Sequence, residues 1–193
     1  MTIDAILFND PGCPWGYSAS PDFAVLRWRY GDRLRWRLVM IGLAGDGRDR
    51  RRGDRGGLPA RPGGGTPCRR DTHRGPGKGL HERRFRYTAP SVVLSNGNGA
   101  MVEAGGFQSI EAYDVCLANL DPSLRRRPPP DDPHDALTAF DHGLTTQEVA
   151  AILAQPLIDP DRSVTEARLL ESVGEGRAER TPLGDDALWH AAG

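Results

Sequence analysis

The sequence predicts an α/β fold followed by a small, mainly helical module. An apolar run at residues 3–8 precedes a helical pattern and then a strand-like alternation, which is the order strand, helix, strand. Residues 91–104 have the pattern of a β-hairpin and precede a second helix. The chain has 193 residues, 38% of them hydrophobic, and a formal net charge of -1. A core of ordinary size is therefore expected, without a general attraction to nucleic acid.

The first strand is predicted over Ile3 to Phe8, an apolar run typical of a strand that is buried on both faces. It ends in the turn sequence Asn9-Asp10-Pro11-Gly12. Apolar residues at helical spacing then predict a helix from about Pro14 to Tyr30. Pro21 lies inside this pattern, so we expect the helix to be kinked or divided there.

The next strand is indicated by strict alternation between apolar side chains and mostly arginine. This pattern predicts a half-exposed strand whose inner face carries Leu34, Trp36, Leu38 and Met40. A helix between two strands most simply makes a right-handed crossover. The two strands are therefore expected to pair in parallel.

Residues 44–84 are a low-complexity segment dominated by arginine, glycine and proline. A segment with so few apolar side chains cannot offset its chain entropy by forming a core. Arginine runs such as Arg50-Arg51-Arg52 invite a nucleic-acid interpretation. However, no aromatic residues are interleaved for stacking on bases, so a solvated basic linker is the preferred interpretation.

Order is predicted to return at residue 85. A hairpin is indicated over residues 91–104, with Asn96-Gly97 at its turn, and Ser109 is a candidate N-cap for a helix ending near Leu120. We therefore predict a first domain formed by residues 1–43 and 85–121. The side of the helix expected to face its core carries Ile110, Tyr113, Val115, Cys116 and Leu120.

Residues 122–142 are rich in proline and are predicted to be a stiff linker between domains. In residues 143–193, Thr145 should cap a helix, and a second helix is predicted from Val164 to Val173 with Ala167, Leu169 and Leu170 on its inner side. A turn at Pro182-Leu183-Gly184-Asp185 separates two short strand-like pieces. This order resembles a winged helix.

The predicted module contains both a feature that favours DNA binding and one that opposes it. Arg162 and Arg168 could face phosphate, but Glu166, Glu171 and Glu175 lie among them and would repel it. DNA is therefore not an expected partner. Protein contact, including a homodimer formed through this module, is the preferred interpretation.

The cysteines indicate a reducing compartment. Cys13, Cys68 and Cys116 are too few and too scattered for a disulfide framework. The first residues lack the pattern of a secretory signal, and no run approaches the roughly 20 apolar residues of a membrane span. A cytoplasmic protein without a membrane partner is expected.

The motif Cys13-Pro14-Trp15-Gly16, together with Thr88-Ala89-Pro90 before the hairpin, resembles the DsbA-like family of thioredoxin-fold proteins. This family includes 2-hydroxychromene-2-carboxylate isomerases and kappa-class glutathione transferases. The resemblance covers residues 2–43 and 85–120. It implies a thioredoxin-like fold and a cis peptide before Pro90, with Pro90 packed beside a catalytic Cys13. It also implies that Ala89 leaves its backbone free to pair with an extended substrate or glutathione, and that the substrate-binding residues are Pro14, Trp15, Gly16, Ala89 and Pro90.

The chain departs from the family pattern at two places. Gly16 stands where the family's second cysteine would lie, and residues 44–84 stand where the family inserts a helical domain. We therefore interpret the chain as a truncated member. A GC-rich coding region translated out of frame would yield the composition of residues 44–84.

The residues around Cys13 predict monothiol chemistry. A helix N-terminus favours thiolate over thiol, and the thiolate is the nucleophile. Since Gly16 removes the internal resolving sulfur, Cys13 is expected to form a mixed disulfide with a protein thiol or glutathione, which an external thiol resolves. Glutathione would be a co-substrate, and no bound cofactor is expected. The predicted activity is that of a thiol-disulfide oxidoreductase.

Several alternatives stay open at this stage. Cys13 could be a buried, inert residue, and the protein a noncatalytic binding protein or regulator. Trp15 and Tyr17 could line a substrate groove or belong to the core, whereas Cys116 is expected in the core. No metal site is expected, because His73 and His81 flank Cys68 without a recognised ligand spacing.

Overall fold

The computed structural model of the protein describes residues 2–41 and 87–193, which form a mixed α/β structure. The low-complexity segment predicted at residues 44–84 lies outside these residues. The first part of the chain contains β1 (Ile3–Asn9), α1 (Pro14–Ser18), α2 (Ser20–Tyr30), a 3-10 turn (Gly31–Arg33), β2 (Leu34–Met40), β3 (Ser91–Asn96), β4 (Met101–Gly105) and α3 (Ile110–Leu120). The second part contains α4 (Pro133–Thr138), β5 (Leu144–Thr145), α5 (Thr146–Leu153), α6 (Arg162–Gly174), β6 (Ala178–Leu183) and β7 (Asp186–Ala191).

The first four strands form one mixed sheet in the order β2-β1-β3-β4. β1 pairs with β2 in parallel, with Ile3 opposite Leu34, and pairs with β3 antiparallel. β3 and β4 form the predicted antiparallel hairpin. The parallel crossover and the hairpin are thus confirmed, and β1 lies in the interior of the sheet, as its apolar sequence predicts.

The helical pattern after β1 is divided into two helices, as Pro21 predicts. α1 ends at Ser18 and α2 begins at Ser20, with Pro21 in the first turn of α2. Proline fits there because the backbone N–H it lacks would have no intrahelical acceptor at that position. The division leaves α1 as a helix of five residues directly behind Cys13.

The first core lies between one face of this sheet and helices α2 and α3. Its largest side chains include Leu26, Phe23, Tyr113 and Leu117. The prediction for β2 is only partly correct. Leu34 is buried and Trp36 packs on Phe23 with ring centroids 6.0 Å apart, but Leu38 and Met40 are exposed. The alternation predicted which side of the strand these residues lie on. It did not predict how much of that side the helices cover.

The predicted core face of α3 also needs one correction. Ser109 caps the helix by accepting a hydrogen bond from the backbone of Ala112, as expected. Tyr113, Leu117 and Leu120 are buried, and Ile110 and Cys116 pack at the margin of the core. Val115, however, is exposed. It lies two residues after Tyr113, about 200° around the helix, so it faces away from the sheet.

The carboxy-terminal part contains three helices and a small antiparallel sheet with strand order β5-β7-β6. Thr145 and Glu148 form a capping box at the start of α5, which confirms the predicted cap. The fully buried Trp189 of β7 donates its indole N–H to Thr146 Oγ1 at 2.9 Å. Gly184, at φ +61°, forms the tight turn between β6 and β7.

The segment predicted as a linker, residues 122–142, contains helix α4. Asp132 caps this helix by accepting a hydrogen bond from His134 N at 2.9 Å, and Pro133 is its first residue. Ala136 and Leu137 are buried in a second core, which residues of α2 form with the carboxy-terminal helices and small sheet. The proline run therefore ends in a helix start rather than continuing as a linker.

Helix α2 contributes to both cores. Phe23, Leu26 and Tyr30 face the first core, while Ala24, Val25 and Trp28 belong to the second core with Leu137 and Trp189. Trp28 also donates its indole N–H to the carbonyl of Pro128 at 2.8 Å. Within residues 2–41 and 87–193, each helix is too short or too polar to cross a membrane.

Candidate functional site

Cys13 lies at the junction between the carboxyl end of β1 and the start of α1. The turn that brings it there is closed by a hydrogen bond from Cys13 N to Asp10 O at 2.9 Å, and Gly12 N donates to Asp10 Oδ1 at 2.8 Å. Cys13 has extended backbone angles and is the N-cap residue of α1, which Pro14 begins. The sequence interpretation of this junction agrees with the structure in each of these respects.

The thiol of Cys13 faces the segment that precedes β3. Its Sγ lies 3.6 Å from the carbonyl oxygen of Ala89, to which the thiol donates. The Ala89–Pro90 peptide bond is cis, as the resemblance implied, and Pro90 is buried. Two segments 76 residues apart in sequence therefore meet at Cys13.

The loop beside Cys13 is fixed by hydroxyl groups. The buried Ser91 donates to the carbonyl of Thr88 at 2.6 Å and accepts from Gly106 N at 3.1 Å. These bonds tie the Ala89 segment to the connection between β4 and α3. The carbonyl of Ala89 accepts from the Cys13 thiol, and its second lone pair stays available, so pairing of this backbone with a substrate stays a prediction.

The helix end does not act on the Cys13 sulfur through a direct hydrogen bond. The side chain of Cys13 accepts no cap hydrogen bond from the backbone of α1. Only 6% of the residue is exposed. The thiol thus points toward Ala89 rather than toward the N–H groups of the first turn, which differs from the arrangement expected from sequence.

The space that a second cysteine would need is occupied by Asn9. A Cβ atom at Gly16 would lie 2.1 Å from Asn9 Oδ1, well inside van der Waals contact. That oxygen also accepts a hydrogen bond from Asp10 N at 2.9 Å. The Asn9 side chain therefore occupies the space that a side chain at residue 16 would need.

An exposed aromatic pair lies beside Cys13. Trp15 is 65% exposed and makes an edge contact with Phe107, with ring centroids 6.1 Å apart. Tyr17 is exposed as well, so of the two alternatives for Trp15 and Tyr17 the core placement is wrong. Phe107 was not identified from sequence. The sequence feature that could have indicated Phe107 is the double glycine before it. Gly106 adopts φ +76°, a conformation that favours glycine, and lies next to Thr88.

The other cysteines lie away from this pair of segments or outside the described residues. Cys116 is partly buried against the first core, and burial raises the pKa of its thiol. Cys68, His73 and His81 lie outside the described residues. In the part of the chain that the structure describes, no group of three His, Cys, Asp or Glu side chains is placed to hold a metal ion.

The two arginines considered for phosphate binding both bond to other parts of the chain. Arg162 Nη2 donates to the carbonyl of Asp185 at 3.1 Å and lies 3.5 Å from Asp186 Oδ1. Arg168 donates to the carbonyl of Asp131. These contacts give both side chains a structural role at the edges of α6.

Comparison with protein-family models finds no family that matches the chain. A search of curated proteins likewise finds no significant match.

Proposed function

We propose that this protein carries out thiol–disulfide exchange through Cys13, on a thioredoxin-like domain of the DsbA-like type. The observation that carries the proposal is the 3.6 Å approach between Cys13 Sγ and the carbonyl of Ala89. It combines a cysteine directly before a helix with the Ala-Pro segment that the family resemblance pairs with it. A lone buried cysteine would not require this partner.

The arrangement of the sheet supports the fold that the proposal assumes. A parallel strand–helix–strand unit is joined side by side to an antiparallel hairpin, and the helices after β1 and β4 share one core. This is the element order of a minimal thioredoxin domain. The order α4, β5, α5, α6, β6, β7 likewise supports a winged-helix-like module after it.

The proposed reaction needs a disulfide substrate and a second thiol. The Cys13 thiolate attacks one sulfur of the substrate disulfide, a Cys13–sulfur bond forms, and the other sulfur leaves as a thiolate. With glycine at residue 16, this motif has no second sulfur to reverse the bond. An external thiolate, from glutathione or a protein thiol, then attacks the substrate sulfur of the mixed disulfide. A new disulfide joins that thiol to the substrate sulfur, and Cys13 leaves as a thiolate.

The second candidate is a noncatalytic binding protein, and one observation favours it. Cys13 is 6% exposed and its thiol is engaged by a carbonyl, which is the environment of an inert structural cysteine. The exposed pair of Trp15 and Phe107 would then serve as a contact surface without covalent chemistry. Reactivity of the folded thiol distinguishes the two candidates.

The test uses a variant with Cys68→Ser and Cys116→Ser, in which Cys13 is the remaining thiol. Its reaction with an aromatic disulfide is timed at neutral pH for the folded protein and for the protein in denaturant. Exchange predicts a folded rate at least about tenfold above the unfolded rate, since an activated thiol exceeds a free one. Added glutathione should then reverse the mixed disulfide and regenerate the free thiol of Cys13.

A variant retaining Cys116 alone is the matched control, and it should react more slowly when folded than when unfolded. If Cys13 also reacts more slowly in the folded protein, the noncatalytic candidate replaces the exchange proposal. A mixed disulfide that glutathione cannot reverse would contradict the monothiol cycle.

A further inference from the structure

The solvent-facing side of α6 carries apolar residues that the sequence pattern assigned to the core. Thr165, Leu169 and Ser172 are the buried residues of this helix. Val164 and Leu170, by contrast, are 56% and 49% exposed, and the small Ala167 lies between them on the outer side. Positions 164, 167 and 170 recur every three residues, so they follow one side of the helix. The predicted inner placement of Ala167 and Leu170 is wrong.

Further exposed apolar side chains lie in the two segments next to the first turn of α6. Leu157 and Ile158, in the connection that precedes the helix, are exposed. The bond from Arg162 to the carbonyl of Asp185 holds the β6–β7 turn against the same end of α6, and Leu183 is exposed beside that turn. We call the residues Leu157, Ile158, Val164, Leu170 and Leu183 the α6 face.

The segments that carry the α6 face contain more exposed carboxylates than arginines, and only Arg162 of the two arginines is paired with a carboxylate. Asp159, Glu171 and Asp185 are exposed, and Glu166 is partly exposed. Arg162 is paired with Asp186, and Arg168 donates to a backbone carbonyl. The exposed apolar side chains therefore lie on segments with an excess of negative charge. Phosphate would be repelled, and a second copy would bring two such negatively charged surfaces together.

We propose that the α6 face docks a basic amphipathic segment of a partner protein. Apolar side chains on one side of such a segment would cover Val164 and Leu170, and flanking lysine or arginine would meet Glu166 and Glu171. An amphipathic segment binds in this way when its apolar side covers an exposed apolar surface, and charge complementarity then sets the choice of partner. The inference is independent of the chemistry of Cys13.

The experiment measures binding of two synthetic helical peptides to the full chain. One peptide has leucine on one side and lysine on the other, and the second replaces each lysine with glutamate. Fluorescence anisotropy should show binding of the lysine peptide at least about tenfold tighter, weakening as salt is added. Leu170→Ser should weaken that binding by about tenfold or more.

Val115→Ser is the matched control, because Val115 is 60% exposed on α3, outside the α6 face. Its affinity for the lysine peptide should equal that of the unaltered protein. Equal loss in Leu170→Ser and Val115→Ser, or equal binding of both peptides, would overturn the proposal. So would a concentration-dependent dimer that Leu170→Ser dissolves, because a second copy would then be the occupant. A mobility shift of duplex DNA at low salt that the same substitution abolishes would also overturn it.

Discussion

The side chain of Asn9 fills the space in which a side chain at Gly16 would begin. The amide oxygen of Asn9 would lie 2.1 Å from a Cβ atom at that position. Since Asn9 is the last residue of β1 and Gly16 lies in the first turn of α1, this contact sets how closely the helix approaches the strand end. The glycine at residue 16 and the side chain of Asn9 are thus parts of one packing arrangement.

The first prediction is that Asn9→Ala combined with Gly16→Cys converts the site into a dithiol. Residues three apart at a helical turn lie on the same side of the helix. A disulfide between them forms when small backbone adjustments bring their Cβ atoms to about 3.5–4.5 Å. Under mild oxidation the double variant should lose two titratable thiols and stay monomeric. Thiol titration and peptide mass mapping measure this result.

Gly16→Cys alone is the informative comparison. Asn9 must move before the new side chain fits, so we expect slower disulfide formation or lower stability in the single variant. A double variant that keeps both thiols free under the same oxidation would show that Asn9 is not the obstacle.

The second prediction concerns Asp22, whose pKa is raised to about 6 by burial and by the nearby carboxylate of Glu111. The folded state therefore binds a proton here more tightly than the unfolded chain does. Stability linked to this proton is present below the ordinary pKa of aspartate and is lost as pH rises through about 6. Above that pH, folding has to keep a charged Asp22 in a partly buried position.

Asp22→Asn should consequently stabilise the protein at about pH 7–8 by roughly 1 kcal/mol, a value reduced for partial exposure. The gain should vanish near about pH 4, where Asp22 is protonated in the folded protein. Urea unfolding at several pH values measures both effects. Asp159→Asn, at an exposed carboxylate, is the control, and parallel pH profiles for the two variants would contradict the assignment.

The third prediction concerns Asp114, which joins α2 to α3. Its carboxylate accepts hydrogen bonds from Arg29 at 2.6 Å, Arg126 at 2.8 Å and the Tyr30 hydroxyl at 2.7 Å. Arg29 is nearly buried, so Asp114→Ala leaves a desolvated guanidinium without its partner. We expect a loss of about 3 kcal/mol or more in the free energy of unfolding.

The variant Tyr30→Phe measures the contribution of the Tyr30 hydroxyl to stability separately from that of the charged groups. It removes one hydrogen bond but leaves Asp114 paired, so the loss should be about 1 kcal/mol. Asp4→Ala, at the exposed pair with Arg35, should change stability little despite its 2.6 Å separation. Equal losses for Asp4→Ala and Asp114→Ala would show that burial does not determine the contribution of these pairs.

The features predicted correctly from sequence are those with local causes. Cys13 at the N-cap, Pro14 at the first helical position, the division at Pro21 and the Thr145 cap each depend on a few neighbouring residues. The resemblance added the partner of Cys13, because the Ala89–Pro90 segment is distant in sequence. Local pattern could not have supplied that contact.

The features predicted wrongly depend on how helices and strands pack against one another. Leu38 fits the alternation of β2 but lies beyond the part of the strand that the first core covers, whereas Val115 and Leu170 lie on the outer sides of their helices. Helix α4 did carry local signals, since Asp132 is a favourable N-cap and Pro133 a favourable first residue. These signals were outweighed by the proline run before them, which is equally typical of a linker.

The fourth prediction is that the two cores unfold together, because α2 is part of both. Trp28 is 7% exposed in the second core, and its indole N–H bonds to Pro128, while Leu26 on the same helix is 1% exposed in the first. Trp28→Ala should therefore cost about 3–5 kcal/mol and affect both cores. Hydrogen exchange of the β1 and β7 amides measures this directly, and both sets should accelerate by the same factor. Acceleration confined to β7 would show that the carboxy-terminal module opens on its own, which is how a domain joined only by a linker would behave.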